Sequence, residues 1–447
     1  MPLFAVHEST VALALGDTLL LTSGGAVVQC TLGADDGAAA AEAGAASAAA
    51  ADEAGAEDEA AAGADVDTNI VAVVLSADGA TAVTAHNSKT LCVWRVADGA
   101  CVARRRMPKK PSSLLSARLP AAQAAVEPLA VTEVVLVGDK TGDVHALPLP
   151  QVDAVAAPAL LLGHTASVIT ALVPSTDGTL LVSADRDEKV RVSPFPSAHC
   201  VTAYCLGLTS FVSSLAVMAP AGDGDDAGGG GDALFALTGD ATLGAWQLRT
   251  GRLLQLVDVG PTDTADDGEA DASADDAAPA PGTALALAAC SRRRLVAIAR
   301  EGAPALLVYR WCDDNTFGAS PVTLPLPAPA EGAAFLRDGR LLVLLQAPHL
   351  LRVFAPADDA PTSFACEDDD ASPLSRACAS ARAKAADEGL RTVPPLQLVD
   401  SVSNAAASVA QGSALRKHHV DNHATSWNDE ARRQKRRKGS KAGKHGR

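Results

Sequence analysis

Several features of secreted, membrane-spanning and metal-binding proteins are missing from this sequence of 447 residues. Its nine cysteines are odd in number and form no Cys-x-x-Cys pair, which favours a reducing cytosolic or nuclear compartment over secretion. No run approaches the roughly 18 consecutive apolar residues of a membrane helix. Residues 1–17 have neither the basic start nor the long apolar core of a signal peptide. We therefore expect a soluble intracellular protein with no metal site and no membrane contact.

Motifs that carry catalytic chemistry are also scarce. The sequence has no Gly-x-Ser-x-Gly nucleophile elbow, and no glycine fingerprint joins a strand to a helix. The run Gly228–Gly231 lies between aspartates, which would repel a phosphate group. Acidic pairs are abundant in low-complexity tracts, where nothing holds two carboxylates at a fixed separation. We therefore expect no enzymatic activity from this chain alone.

The chain does contain a recurring pattern of short apolar strands separated by turns. The clearest unit, Leu161–Pro196, opens with Gly-His and reads as one complete four-stranded blade. Such a unit cannot bury both of its faces alone, so neighbours must stack against it. Comparable units recur at the spacing of about 40 to 45 residues that blade repeats require. They are residues 4–32, 71–99, 112–148, 199–254, 283–311 and 331–355.

Seven units predict an all-β fold, a seven-bladed WD-repeat β-propeller over residues 1–357. Residues 33–68, 220–232 and 258–281 are rich in Ala, Gly and Asp and contain no Lys or Arg. Their apolar content is too low to offset the entropy of ordering them, so we predict disordered acidic insertions. Residues 358–447 are predicted to be an acidic linker and a largely disordered tail with a basic segment at 432–447.

The net charge of −16 lies mainly in these acidic tracts. The folded remainder is close to neutral, so local basic patches can still meet phosphate groups.

Three polar residues of the clearest unit suggest a hydrogen-bond network. His164, Ser183 and Asp187 could form a catalytic triad on paper. In WD repeats, however, residues of these types at these positions join the strands of one blade, and we favour that structural interpretation. Ser193 stands where the repeat usually has Trp, so we expect a shortened network.

The turn Asp185–Lys189 carries more charge than a blade requires. Glu188 and Lys189 lie at the bend, facing the rim of the disc, where they form either an interaction site or a solvated turn. Arg191 alternates onto one face of the following strand, and we expect it to pair with an acid between blades. The preceding blade has a parallel cluster at 138–143, and together the two turns would form one charged surface.

Four segments resemble a known family. They are Gly138–Leu149 (GDKTGDVHALPL), Leu161–His164 (LLGH), Ser183–Pro196 (SADRDEKVRVSPFP) and Cys205–Leu215 (CLGLTSFVSSL). Together they resemble the non-catalytic WD-repeat subunit of the eukaryotic tRNA (guanine-N7-)-methyltransferase. The resemblance implies a propeller without an active site. It would dock beside a catalytic subunit that binds S-adenosylmethionine and would help to hold tRNA for methylation of a variable-loop guanosine.

The resemblance also implies roles for individual residues. The residues implied to contact the partner are Glu188, Lys189, Arg186, Lys140 and Asp139. Those implied to support the docking turn are Arg191, Asp187, His164 and Ser183. The sequence departs from the family at Leu208, where the family usually has His after Leu-Gly.

The tail contains a basic block at 432–438, RRQKRRK. Its residues Lys435, Arg436, Arg437 and Lys438 are interpreted as a nuclear import signal, with a phosphate-binding arm as the alternative. Trp427 is the only aromatic residue nearby, so base stacking is not expected. Any RNA contact should involve the backbone and should weaken with salt.

A second class of function stays open. A generic WD-repeat adaptor, such as a ubiquitin-ligase substrate receptor or a chromatin scaffold, would use the same rim or the mouth of the channel.

Overall fold

The computed structural model describes the strand-forming part of the chain. The described residues are 4–7, 10–23, 26–31, 67–119, 133–153, 157–220, 231–260, 284–346, 351–356, 364–367, 376–377 and 380. The chain divides into two units, Met1–Leu398 and Val399–Arg447, and the second unit lies wholly outside the described residues. Within the described residues, no helix has the length and apolar character needed to cross a bilayer.

The first unit consists of seven antiparallel sheets of four strands each. Sheets one and two contain β1 (Phe4–His7), β2 (Thr10–Leu15), β3 (Thr18–Ser23), β4 (Ala26–Thr31), β5 (Ile70–Leu75), β6 (Thr81–His86), β7 (Thr90–Arg95) and β8 (Cys101–Arg106). Sheets three and four contain β9 (Pro111–Arg118), β10 (Glu133–Asp139), β11 (Asp143–Pro148), β12 (Ala159–Gly163), β13 (Ile169–Pro174), β14 (Leu180–Asp185), β15 (Val190–Pro194) and β16 (Ala203–Cys205). Sheet five contains β17 (Val212–Met218), β18 (Ala233–Thr238), β19 (Thr242–Gln247) and β20 (Arg252–Asp258). Sheets six and seven contain β21 (Ala284–Cys290), β22 (Leu295–Arg300), β23 (Ala305–Arg310), β24 (Val322–Pro325), β25 (Ala330–Phe335), β26 (Leu341–Leu345), β27 (Leu351–Pro356) and β28 (Phe364–Glu367).

The seven sheets close into a ring. The first strand of each sheet contacts the first strand of the next sheet, and β25 of the seventh sheet contacts β1 of the first. Leu13 and Leu20 pack against Leu342 and Leu344 where the ring closes. Each sheet is built from four consecutive strands, so side-chain packing joins the first and last sheets. The predicted seven-bladed propeller is confirmed.

The central strands form because neighbouring sheets cover both of their faces. β14 and β18 are buried at every residue, and they begin with the short apolar runs Leu180–Val182 and Ala233–Leu237. The outermost strand of the fifth sheet, β20, is largely exposed or half-buried. Aromatic packing is concentrated between sheets five and six, where Phe235, Trp311 and Phe317 form edge and tilted contacts. Elsewhere the core consists mainly of Leu, Val and Ala, with single aromatic residues such as Trp94 and Phe354.

The sequence repeat and the sheet are offset by one strand. Leu161–Pro196 was predicted to be a complete blade, but β12 pairs with β11 in the third sheet. The fourth sheet instead runs from Ile169 to Cys205. The Gly-His segment thus completes one sheet and leads directly into the next, which couples consecutive blades. The seventh sheet likewise extends to Glu367, beyond the predicted limit at residue 357.

Most residues of the predicted disordered insertions (33–68, 220–232 and 258–281) lie outside the described residues. Eight of their end residues, 67–68, 220, 231–232 and 258–260, are described. Asp232 accepts hydrogen bonds from the backbone and hydroxyl of Thr176, at 2.7 and 2.6 Å. Asp258 ends β20. The ordered sheets therefore reach slightly into the tracts that composition assigned to loops.

Candidate functional site

Two charged turns lie side by side on one edge of the ring. Residues 139–143 join β10 to β11, and residues 185–189 join β14 to β15; we call these two turns the charged rim. Each connects the second strand of its sheet to the third, and successive turns of an antiparallel sheet alternate between its two edges. Because β9 contacts β13, the third and fourth sheets are neighbours. The two turns therefore lie on the same edge of adjacent blades.

The fourth-sheet turn is folded around a buried carboxylate. Oδ1 of Asp185 accepts hydrogen bonds from the backbone N–H groups of Asp187 and Lys189, at 2.8 and 3.0 Å. Glu188 has a φ of +69°, a left-handed conformation that is unfavourable for a residue with a Cβ. Lys189 is exposed, whereas Arg186, Asp187 and Glu188 are half-buried. The turn is thus held from inside and presents its charges outward.

The predicted network exists, but its acid is Asp185 and not Asp187. Nδ1 of His164 lies 2.8 Å from Oδ2 of Asp185, and Nε2 lies 2.8 Å from Oγ of Ser183. All three residues are buried, so Ser183 has no access to a substrate and the structural interpretation is supported. Asp185 ends β14 with its side chain turned into the sheet, whereas Asp187 lies two residues further out in the bend.

The same contacts shift the acidity of Asp185. Burial by itself would raise the pKa of this carboxyl. The hydrogen bonds from His164 and from the Lys189 backbone oppose burial and prevail, so the pKa of Asp185 is lowered. The carboxylate therefore stays ionised at neutral pH and retains its three hydrogen-bond donors.

A related network in the second sheet, with His86 at the position of Asp185, keeps the tryptophan that the fourth sheet lacks. There, Trp94 Nε1 donates to Oγ1 of Thr84 at 2.9 Å, and Thr84 Oγ1 lies 2.8 Å from Nε2 of His86. Trp94 pairs with Ala82 in the sheet register, and Ser193 pairs with the corresponding Leu181. Ser193 thus occupies the position of the Trp, and the network of the fourth sheet is shortened as expected.

Arg191 joins the third and fourth sheets. Its Nη1 donates to the carbonyl oxygen of Gly163 at 2.9 Å, and its guanidinium carbon lies 6.0 Å from the ring centroid of Tyr204. The contact spans two sheets, as expected, but the acceptor is a backbone carbonyl on β12 and not the predicted acid. Arg191 therefore supports the charged rim through the neighbouring strand.

The third-sheet turn is folded around Asp139, whose predicted role in contacting a partner requires correction. Asp139 is only 2% exposed. Its Oδ1 accepts hydrogen bonds from the backbone of Thr141, Gly142 and Asp143 and from the Thr141 hydroxyl, at 2.8 to 3.0 Å. A carboxylate committed in this way shapes the turn and cannot reach a partner. Asp139 and Asp185 are both the last residues of their strands and play the same part.

Lys140 and Thr141 are the exposed residues of the third-sheet turn, and Lys140 is the charged one. It follows Asp139 as Arg186 follows Asp185, so the two basic residues hold equivalent positions on adjacent blades. The Lys140 N–H donates to the carbonyl of Lys110 at 3.0 Å. Partial desolvation, and then repulsion from Lys110, lower the pKa of Lys140 against the opposing effect of Asp67.

Lys110 was missed in the sequence analysis. Its signal is the pair of lysines at 109–110 immediately before β9. The basic residues Lys435, Arg436, Arg437 and Lys438 lie outside the described residues.

A family model and curated relatives of this chain all carry descriptions of tRNA methyltransferase proteins. Residues 151–330 match the family model described as the tRNA methyltransferase TRM82 WD40 domain. A tRNA (guanine-N(7)-)-methyltransferase non-catalytic subunit of Mus musculus is 31% identical over 191 residues, 43% of this chain and 40% of the relative. The Drosophila mojavensis protein with the same description is 39% identical over 118 residues, 26% of this chain and 28% of the relative. The resemblance indicated by the sequence is confirmed.

The chain spans less than half the length of these curated relatives. Among solved structures, a chain of the "Crystal Structure of Mitotic Checkpoint Complex" is similar with a TM-score of 0.53 and 14% identity. That similarity covers 77% of this chain and 84% of the other chain. At this identity the similarity concerns the fold alone.

Proposed function

We propose that this chain is a non-catalytic scaffold subunit of a tRNA (guanine-N7) methyltransferase heterodimer. In this role it stabilises the catalytic subunit and helps to position tRNA for N7-methylguanosine formation. The catalytic subunit binds S-adenosylmethionine, and this chain contributes no cofactor to the methyl transfer. The observation that supports the proposal most strongly is the charged rim. Its fourth-sheet turn lies within the segment that matches the methyltransferase family model.

The construction of the fourth-sheet turn suits a docking site. Asp185 holds two of its backbone N–H groups, and His164 holds Asp185 in turn. The outward charges of Arg186, Glu188 and Lys189 therefore sit on a backbone that is already ordered, which limits the entropy lost on association. Charged groups at such a position set docking register and raise encounter rates.

The third-sheet turn extends the same surface with positive charge. Lys140 and Lys110 are adjacent at this edge, and Arg186 holds the equivalent position on the next blade. A row of cations fits an anionic partner, and we assign to it contacts with the phosphate backbone of tRNA held in the complex. Such contacts carry little sequence information and weaken as salt rises. The basic block at 432–438 directs the complex to the nucleus.

A charge-reversal experiment tests the docking assignment. The chain is co-expressed with a catalytic tRNA (guanine-N7) methyltransferase subunit, and the affinity of the pair is measured. The double variant Glu188→Lys with Lys189→Glu should weaken the complex by about 10- to 1,000-fold, because close interfacial charge pairs couple by about 1.5 kcal/mol or more.

The matched control reverses Arg95 and Asp98. These residues form an exposed ion pair of 2.7 Å on the β7–β8 turn, at the opposite edge of the ring. Arg95→Glu with Asp98→Lys should leave the affinity unchanged. An intact complex with the Glu188 and Lys189 reversals would refute the rim as the docking site.

Methylation of unmodified tRNA at guanosine N7 provides the second measurement. Activity should require both chains and should be lost in step with the affinity of the rim variant. Methylation by this chain alone would refute a non-catalytic role. Absence of any association with the catalytic subunit would favour the generic adaptor.

A further inference from the structure

Three possible metal ligands converge at the third-sheet turn. Asp139 ends β10, and Asp143 and His145 lie two residues apart on β11, so their side chains share one face of the strand. One ligand atom from each residue lies within 4.8 Å of the other two. The sequence pattern did not indicate this group because its members are not at the usual spacing of zinc ligands.

Two buried atoms of this cluster have no hydrogen-bond partner. All four hydrogen bonds that Asp139 accepts go to Oδ1. Its Oδ2 is buried without a partner in the described part of the chain, and so is Nδ1 of His145. Burial of a carboxyl oxygen without a donor or a cation is unfavourable. This oxygen therefore calls for a positively charged or hydrogen-bonding group.

The fourth sheet shows how a hydrogen bond satisfies the equivalent oxygen. There, Oδ2 of Asp185 lies 2.8 Å from Nδ1 of His164. In the third sheet the corresponding distance, from Oδ2 of Asp139 to Nε2 of His145, is 3.8 Å. That is too long for a hydrogen bond. It is close to the separation of about 3 to 4 Å between two ligands that bind one ion at about 2.0 to 2.2 Å.

We propose that Asp139, Asp143 and His145 bind a divalent transition-metal ion, for which Zn²⁺ is the first choice. Two carboxylates and an imidazole form a donor set that suits Zn²⁺, with a fourth position left for water. The +2 charge of the ion also offsets the repulsion between the two acids.

The neighbouring strand leaves space for one of these ligands. Gly163 faces Asp143 in the sheet register, and a Cβ at this position would lie 3.1 Å from Oδ1 of Asp143. Because two of the ligands flank Lys140 in the chain, the ion would fix the turn that presents Lys140 on the charged rim.

Zn²⁺ binding to the full-length chain, stripped with a chelator, tests the proposal. Equilibrium dialysis and calorimetry should find one Zn²⁺ ion bound per chain. Asp143→Asn and His145→Gln should each lower the affinity for Zn²⁺ by at least about 100-fold, since even changes outside the ligand set lower it by about 10- to 100-fold. Zn²⁺ should raise the melting temperature of the wild-type chain and not that of the two variants. Bound Co²⁺ should give visible absorption bands of a low-coordinate site.

Two controls separate this site from other metal-binding groups. The double variant His418→Ala with His419→Ala removes the adjacent histidines of the tail and should still bind one Zn²⁺ ion per chain. Asp98→Asn, which changes an exposed acid on the β7–β8 turn, should also still bind one Zn²⁺ ion per chain. Metal-free Asp143→Asn should melt close to the wild-type temperature, which confirms that it folds. The proposal is refuted if wild-type protein binds no Zn²⁺, if Asp143→Asn and His145→Gln bind it normally, or if only the tail variant loses it.

Discussion

The charged turn of the fourth sheet contains two aspartates with very different expected contributions to stability. Asp185→Ala removes the acceptor of three hydrogen bonds, from His164, from Asp187 N and from Lys189 N. Asp187→Ala leaves the backbone N–H of residue 187 in place, and with it the contact to Asp185. The two substitutions delete the same chemical group two residues apart, so each serves as the control for the other.

The structure sets the size of the difference. Asp185 and His164 have side chains with 0% exposure, and each donor left without its acceptor costs about 1 to 3 kcal/mol, so the loss of three hydrogen bonds should cost about 4 kcal/mol. A half-buried turn residue outside such a network costs about 0.5 kcal/mol or less. For a folded unit of roughly 300 residues, an unfolding entropy of about 2 cal/mol/K per residue converts 4 kcal/mol into a fall of about 6 °C in melting temperature. Asp187→Ala should lower it by about 1 °C or less.

Thermal unfolding followed by circular dichroism measures both variants, and urea titration checks that the m-value is unchanged. Asp185→Asn should fall between the two, because an amide oxygen can still accept from the turn but has lost the charge. If Asp187→Ala destabilises as much as Asp185→Ala, the assignment of Asp185 as the acid of the network is wrong.

Two further predictions concern His86 and Glu188. Burial lowers the pKa of His86 to about 4, so below about pH 6.5 the unfolded chain binds a proton that the folded chain does not. The free energy of unfolding should therefore be highest above about pH 6.5 and should fall towards pH 4. The free energy of unfolding of His86→Gln should change less with pH across this window. If wild type and His86→Gln show the same slope, burial of a neutral His86 is refuted. Glu188→Gly should raise the unfolding free energy by up to about 1 kcal/mol, because glycine adopts the positive φ without strain, yet it should weaken the proposed complex. Glu188→Ala keeps the backbone strain, so a gain of the same size with alanine would show that strain is not the cause.

The ring itself could be predicted because its signals are local. Runs such as Leu180–Val182 are apolar at successive positions, as in a strand covered on both faces. Turn residues such as Asp177 and Gly178 mark where the strands end. The offset between repeat and sheet could not be read in this way. Hydrogen bonding between β12 and β11 decides to which sheet residues 159–163 belong, and the sequence alone does not show this pairing.

The errors at Asp187 and Asp139 have one common cause, the position of a strand end. In Asp185–Lys189 and in Asp139–Asp143, the first acid is the last residue of its strand and points inward, although both acids read as part of an exposed charge cluster. Strand boundaries inferred from sequence are uncertain by two residues or more, which is enough to exchange Asp185 for Asp187. Lys110 was missed for another reason. It directly precedes β9, and the antiparallel pairing of β9 with β10, which places Pro111 opposite Asp139, brings it beside Lys140.

The two rim turns have the same construction, in which one set of residues determines stability and another determines recognition. In each, an inward acid binds the backbone of the turn through Oδ1, while the following residue, Lys140 or Arg186, points a positive charge outward. The turns differ in the groups near Oδ2 of the acid. In the fourth sheet this oxygen lies 2.8 Å from Nδ1 of His164. In the third sheet Asp143 and His145 lie near it without forming a hydrogen bond to it. Substitution of the inward groups should therefore change stability first and binding only as a consequence. Substitution of the outward charges of Lys140 and Arg186 should change binding alone, because no buried group loses its partner.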